Sequence, residues 1–130
     1  MDAMMMEQAS AGMKMAGMEQ LDMATMQACM DACSAAEQAC TICAAQGMDC
    51  AATCMSCADM CNTTMRAMMR MQGMTPASMM SMLDACMAMC QACVDECTNM
   101  DDAVCRMCAQ ACRACMDACM EMKSAMMAAA

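Results

Sequence analysis

Residues 105 to 122 read CRMCAQACRACMDACMEM, with thiols at Cys105, Cys108, Cys112, Cys115 and Cys119 in steps of three, four, three and four. Alternating steps of three and four are the a and d positions of a heptad, the stripe of a helix that faces a bundle interior. The same step runs through Cys29, Cys33, Ala36, Cys40 and Cys43, through Cys50, Cys54, Cys57 and Cys61, and through Cys86, Cys90, Cys93 and Cys97. All 17 cysteines lie on these four lines. The opposite face of the last segment reads Asp102, Arg106, Gln110, Arg113, Asp117, Glu121, a solvated surface with charge pairs at i,i+4. The pattern predicts thiols pointing into a tube and charges pointing out.

Turn residues divide the chain into segments of similar length. Gly12 and Gly17 break a Met-rich beginning, and turns are predicted at Gly47-Met48-Asp49, Gly73-Met74-Thr75-Pro76 and Asn99-Met100-Asp101. Between them, helices are predicted at about 18–46, 49–72, 75–98 and 101–127, capped by Asp49, Thr75 and Asn99 or Asp101, with Pro76 in a first helical turn. Gly47 and Gly73 fit helix C-termini. Short connections make neighbouring helices antiparallel, so the expected fold is all-α: an up-down-up-down four-helix bundle over 18–127. Residues 1–17 form a Met-rich N-terminal extension, expected to fray or to act as a flexible arm carrying soft thioether ligands. At 130 residues the chain is one domain.

The large side chains are almost all sulfur: 30 Met and 17 Cys stand against Leu21, Leu83, Ile42, Val94 and Val104, with no aromatic residue. A core of small thiols packs loosely and leaves cavities, which is costly unless something fills them. Disulfides do not account for the pattern, because the count is odd and the cysteines are set regularly within helices.

A metal filling the tube fits better. With no His, Cys/His zinc fingers and His-ligated catalytic zinc are excluded. The CxxC pairs are individually weak, and none sits in a ferredoxin-like run. Thiolate and thioether together select Cu(I), and bridging between neighbouring sulfurs implies on the order of one ion per thiol. Thiolate formation releases protons, and each Cu⁺ offsets one thiolate charge.

CMDACSAAEQACTIC, CAATCMSCADMC, CMAMCQACVDEC and CRMCAQACRACMDAC together resemble the bacterial copper storage proteins, four-helix bundles whose cores are lined with cysteines binding many Cu(I) ions. The resemblance covers about residues 20 to 122. It implies all 17 cysteines as Cu(I) ligands and a homotetramer of bundles, with copper donor or acceptor proteins as partners. Some members of the family are exported and others cytosolic, the latter often with His at the bundle mouth, a residue absent here.

Extended past the last thiols, the four lines reach methionines. The first runs back to Met26 with Met23 beside it, the second on to Met65 and Met68, the third back to Met82 and Met79, and the fourth on to Met122 and Met126. In an up-down-up-down bundle these ends lie together, so one mouth is expected to be lined by thioethers that take Cu(I) weakly and pass it inward. Met48 and Met100, in the turns of the other end, read as turn filler, with a second mouth as the alternative. Met30, Met55, Met60, Met69, Met87, Met89, Met107, Met116 and Met120 lie off the seams and read as contacts between helices or subunits.

The leading function is high-capacity Cu(I) storage and sequestration, and no catalytic constellation is visible. Two alternatives stand beside it: a general thiol buffer for zinc or cadmium, like a metallothionein, and a redox-reactive or structural bundle. Net charge of −9 without a basic patch or an aromatic argues against nucleic acid, and no apolar run reaches the roughly 18 residues that span a bilayer. MDAMMMEQAS is not a signal peptide as it stands. The abundance of thioether, which does not form disulfides, together with the lack of His, favours an exported protein from which a signal has been removed, with the cytoplasm as the alternative.

Overall fold

The computed structural model describes residues 3–10 and 13–129, so the expectations attached to Met1 and Gly12 lie outside the described residues. Its helices are α1 (Ala3–Ala9), α2 (Met23–Ala44), α3 (Ala51–Met68), α4 (Pro76–Cys97) and α5 (Ala103–Ala129), and no strand occurs among the described residues. The interiors of α2 to α5 hold no Gly, and the lone Pro sits in the first turn of α4, so nothing interrupts their backbone ladders.

Caps explain where the helices start. Asp22 accepts from the Ala24 amide at 3.0 Å and from the Thr25 hydroxyl at 3.3 Å, which moves the start of α2 from the expected 18 to Met23. Thr75 and Ser78 form a capping box ahead of α4, as the Thr-Pro pair suggested. Asp102, one residue beyond the expected cap, accepts from the amides of Val104 at 2.9 Å and Cys105 at 3.1 Å. Asp49 does not cap α3; Cys50 occupies that position without a side-chain bond. Gly47, at φ +72, provides the left-handed residue that ends α2. α3 stops at Met68, short of the expected 72, and a 3₁₀ turn at Met71–Gly73 leads into α4.

α2 packs on α3 and α5, and α4 packs on the same two, which closes a ring of four antiparallel helices. By length and composition α4 is apolar enough to cross a membrane, which the search for apolar runs missed because Met and Cys supply that apolarity. Its buried residues, Met79, Leu83, Cys86, Cys90, Cys93, Val94 and Cys97, face the bundle.

The extension departs from its expectation. Met13 and Met15 are 0% and 1% exposed, and Met6, Met18 and Leu21 are buried in the same cluster as the bundle core. Successive turns hold the segment: the Met18 amide donates to the Met15 carbonyl at 2.9 Å and the Leu21 amide to the Met18 carbonyl at 3.0 Å. Gly17, at φ +82, makes the bend possible. The apolar surface of four methionines, about 1.5–3 kcal/mol per buried side chain, outweighs the fraying expected of a Gly-broken start.

Candidate metal centre

Each helix delivers its thiols on one stripe because 3.6 residues per turn returns every third or fourth side chain to the same face. All 17 cysteines are buried and unpaired as disulfides. The stripes meet along the bundle axis, and the antiparallel arrangement sets the end of α2 and the start of α3 level with the end of α4 and the start of α5.

At that turn end the sulfurs of Cys43, Cys50 and Cys105 lie 3.8 to 3.9 Å apart. Cys54, Cys93 and Cys97 form a second triangle with edges of 3.6, 3.7 and 3.9 Å. Cys40, Cys93 and Cys108 form a third, at 3.6, 3.7 and 3.8 Å. Cys57, Cys61 and Cys90 form a fourth, at 3.7, 3.8 and 4.0 Å. A point equidistant from three such sulfurs lies about 2.1–2.3 Å from each, the length of a metal–thiolate bond. The triangles are therefore sized for a metal without movement of the backbone.

The triangles join into one array. Cys112 bridges Cys40 at 3.5 Å and Cys57 at 3.9 Å. Cys61 continues to Cys86 and Cys115, each at 4.0 Å. Cys115 reaches Cys33 at 3.6 Å, and Cys29 closes on Cys119 at 3.9 Å. Five sets of four sulfurs, those of each set within 4.8 Å of one another, lie between Cys105 and Cys29, from Cys43, Cys50, Cys54 and Cys97 at one end to Cys33, Cys86, Cys115 and Cys119 at the other, with Cys57 linking the two halves through Cys61 and Cys90. A soft ion can move from one set to the next without leaving sulfur.

Proton affinity varies along the array. Burial pushes Cys43, Cys97 and Cys105 up to about 12, and Cys54 also upward, so the turn end holds protonated thiols. At the far end neighbours differ: hydrogen bonding from Cys119 and then Cys33 lowers Cys29 to about 5, while hydrogen bonding from Cys115 above all pushes Cys33 and Cys119 upward. A metal entering the array displaces protons from the raised groups.

Of the eight methionines expected at the mouth, Met26, Met68, Met79, Met122 and Met126 are at most 1% exposed, beyond Cys29 and Cys119. Met23, Met65 and Met82 are half-buried, and the seam passes them by. Three residues back from Cys86 stands Leu83, and three on from Cys61 stands Thr64, both fully buried. The Thr64 hydroxyl is satisfied by the Met60 carbonyl at 2.8 Å. For Met65 and Met82 the expectation took a step of four where the packing takes a step of three. Met30 and Met71, 1% and 0% exposed, also belong to the buried cluster, though neither lies on a seam. At the other end the Met48 sulfur lies 3.9 Å from that of Cys105, a contact that suits the alternative of a second mouth better than turn filler.

The copper storage protein family model matches residues 15–124. The copper storage protein Ccsp of Streptomyces lividans loaded with 10 copper equivalents is 36% identical, over 80% of this chain and 87% of that one, with a TM-score of 0.75. A histidine-substituted variant of it is 35% identical over 82% of this chain and 98% of that one, again with a TM-score of 0.75. A structure described as a cytosolic copper storage protein from Streptomyces lividans with five coppers is 36% identical over 77% of this chain and 92% of that one, with a TM-score of 0.72. No match was found among curated proteins. The cytosolic description of that relative overturns the expectation of an exported protein and favours the cytoplasm. The expectation gave the methionines too much weight against the 17 free thiols, which suit a reducing compartment.

Proposed function

This chain belongs to the copper storage protein family, and from that premise we propose that it stores copper as Cu(I), with all 17 cysteines as ligands and on the order of one ion per thiol. The observation that carries the reading is the unbroken sulfur array, from Cys105 to Cys29, with its triangles of 3.6 to 4.0 Å edges. Trigonal thiolate sites with shared sulfurs suit a soft monovalent ion, and their number within one tube supports a high capacity. The protein is a store rather than an enzyme. Residues 18–127 are the storage bundle and the N-terminal extension is its accessory.

Met26, Met68, Met79, Met122 and Met126 are the mouth ligands of this reading, taking copper as neutral thioethers and passing it to Cys29 and Cys119. Copper donor and acceptor proteins are its partners, and family resemblance supports a homotetramer, which light scattering on the purified protein tests.

Anaerobic titration with Cu(I) against a competing chelator, with thiols counted before and after, tests the core. Uptake of about one Cu(I) per thiol with thiols still reduced is expected; a few Zn²⁺ per chain and weak Cu(I) binding would instead mark a general thiol buffer. Because the chain lacks Trp and Tyr, near-ultraviolet absorption that grows with copper reports copper–thiolate charge transfer. The mouth is tested by replacing Met26, Met68, Met122 and Met126 with Leu, which nearly conserves volume. Slower loading is expected, and unchanged capacity and rate would remove those methionines from the ligand set.

A further inference from the structure

The five sets of four sulfurs cannot all be filled at once, because they share members. Cys54, Cys93 and Cys97, grouped with Cys108, also belong to two neighbouring sets, and Cys86 and Cys115 belong both to the set with Cys33 and Cys119 and to that with Cys61 and Cys90. Among the described residues at most three sets can be filled without sharing a sulfur. One lies at the turn end on Cys43, Cys50, Cys54 and Cys97, and one at the far end around Cys86 and Cys115. The middle one, Cys40, Cys57, Cys93 and Cys112, takes one sulfur from each of α2, α3, α4 and α5. A tetrahedron of thiolates about 2.3 Å from a central ion has edges of about 3.8 Å. Within these sets Cys40 lies 3.5 Å from Cys112 and 3.8 Å from Cys93, Cys43 lies 3.9 Å from Cys50, and Cys54 lies 3.7 Å from Cys97.

Three sets of four use twelve of the 17 cysteines. With Cys33 and Cys119 completing the far set, each cysteine left over stands beside a member of a set. Cys108 is 3.6 Å from Cys40, Cys90 3.7 Å from Cys57, Cys105 3.8 Å from Cys43, Cys29 3.9 Å from Cys119 and Cys61 4.0 Å from Cys115. A buried thiolate needs a hydrogen-bond donor, and the interior offers no charged one, since Thr64 is the one buried polar or charged side chain among the described residues. The five remaining S–H groups are placed to supply those bonds.

We propose that the copper-free array binds three Zn²⁺ ions, one in each of these non-overlapping four-cysteine sites, as a resting load that Cu(I) displaces. A tetrahedral set of four thiolates suits Zn²⁺ as a trigonal set suits Cu(I). Binding changes no oxidation state: each Zn²⁺ forms bonds to four thiolates, and the four thiols release their protons to water. Every such site keeps two net negative charges in the interior, so zinc stops at the few sites whose thiolates find S–H donors. Cu⁺ offsets its thiolates charge for charge and can occupy the whole array. In the exchange, bonds from the thiolates to Cu⁺ form as those to Zn²⁺ break, and Zn²⁺ returns to water. Until then the zinc of the middle site ties all four bundle helices together.

The zinc sites stand independently of the copper reading, and only the displacement rests on it. The test titrates the full chain, reduced and metal-free, with Zn²⁺ against 4-(2-pyridylazo)resorcinol without oxygen. Uptake of three Zn²⁺ per chain is expected, one for each set that can be filled. Cys112→Ala breaks the middle set and leaves at most two that do not overlap, whereas Cys108→Ala breaks only the set that overlaps its neighbours and leaves three. Zinc capacity is therefore expected to fall by a third in Cys112→Ala and to stay whole in Cys108→Ala, while each variant loses about one Cu(I). Circular dichroism checks the fold, and Cys57→Ser, which breaks the same middle set, takes the place of Cys112→Ala where that variant unfolds. Cu(I) added as its bathocuproine disulfonate complex is expected to release all the zinc to the dye. No zinc uptake, or an equal loss of zinc in the two variants, would overturn the three sites and leave the copper store standing. Zinc that stays bound through full copper loading would overturn the displacement. A chain that binds three Zn²⁺ and no Cu(I) overturns the storage reading and the displacement together, and leaves the zinc sites.

Discussion

Cys40 of α2 and Cys112 of α5 hold their sulfurs 3.5 Å apart in the middle of the bundle, although 72 residues separate them. Around this pair the array is continuous, since Cys40 also contacts Cys93 and Cys108 and Cys112 contacts Cys57.

Replacing both Cys40 and Cys112 with Ala interrupts that path. The expected result is a loss of about two Cu(I) ions from the capacity and a stability cost on the order of 1 kcal/mol per site from the small cavities left behind. Anaerobic titration and urea denaturation measure the two effects, and an unaltered capacity would contradict the assignment of these thiols as ligands.

The metal-free protein is expected to weaken at alkaline pH. Folding raises Cys43, Cys97 and Cys105 from the ordinary thiol value of 9.0 to about 12. A group raised in this way favours the fold while protonated, so its contribution is complete below pH 9 and disappears as pH climbs through 12. A series of denaturation curves from pH 8 upward checks this. In the copper-loaded form, whose ligands are already thiolates, the same window is expected to be flat.

Copper that binds the assembled array more tightly than the 17 thiols of the unfolded chain stabilises the fold by mass action. Each independent site contributes about 2.7 kcal/mol when free copper is a hundredfold above its dissociation constant. Calorimetry is expected to show the melting temperature rising with each increment of Cu(I) and returning to the metal-free value after chelation.

Deleting residues 1–20 removes Met6, Met13, Met15 and Met18 from the buried cluster while keeping the Asp22 cap of α2. Each buried methionine contributes about 1.5–3 kcal/mol before the entropy of ordering the segment is subtracted, so a net loss of a few kcal/mol is expected. If the segment covers the methionines beyond Cys29 and Cys119, which share its buried cluster, stopped-flow loading is expected to accelerate. A truncated chain with the same stability and loading rate would mean that the segment covers nothing of consequence.

Much of this could be read from residue order. The step of three and four placed every thiol on an inward face, and all 17 are buried. Thr75 and Pro76 marked the start of α4, and the family followed from the repeated thiol spacing. The errors fall where periodicity is ambiguous or absent. At the ends of the seams a step of four and a step of three are equally regular, so Met65 and Met82 were expected where Thr64 and Leu83 are buried. In the N-terminal segment there is no helical period to follow, and Met13 and Met15 are buried by turns rather than by a stripe.

A helix's own period decides, without reference to its neighbours, that the four bundle helices form and which face of each carries sulfur. Which sulfurs meet depends on how those helices pack. The triangle of Cys40, Cys93 and Cys108 takes one residue from each of three helices, and its edges of 3.6 to 3.8 Å depend on how far each helix is slid along the bundle axis. A slide of one residue is about 1.5 Å, enough to break such a contact, and it is set by turn geometry and side-chain packing between helices. The same packing brings the Met48 sulfur to Cys105, a contact that the turn position of Met48 allowed but did not fix.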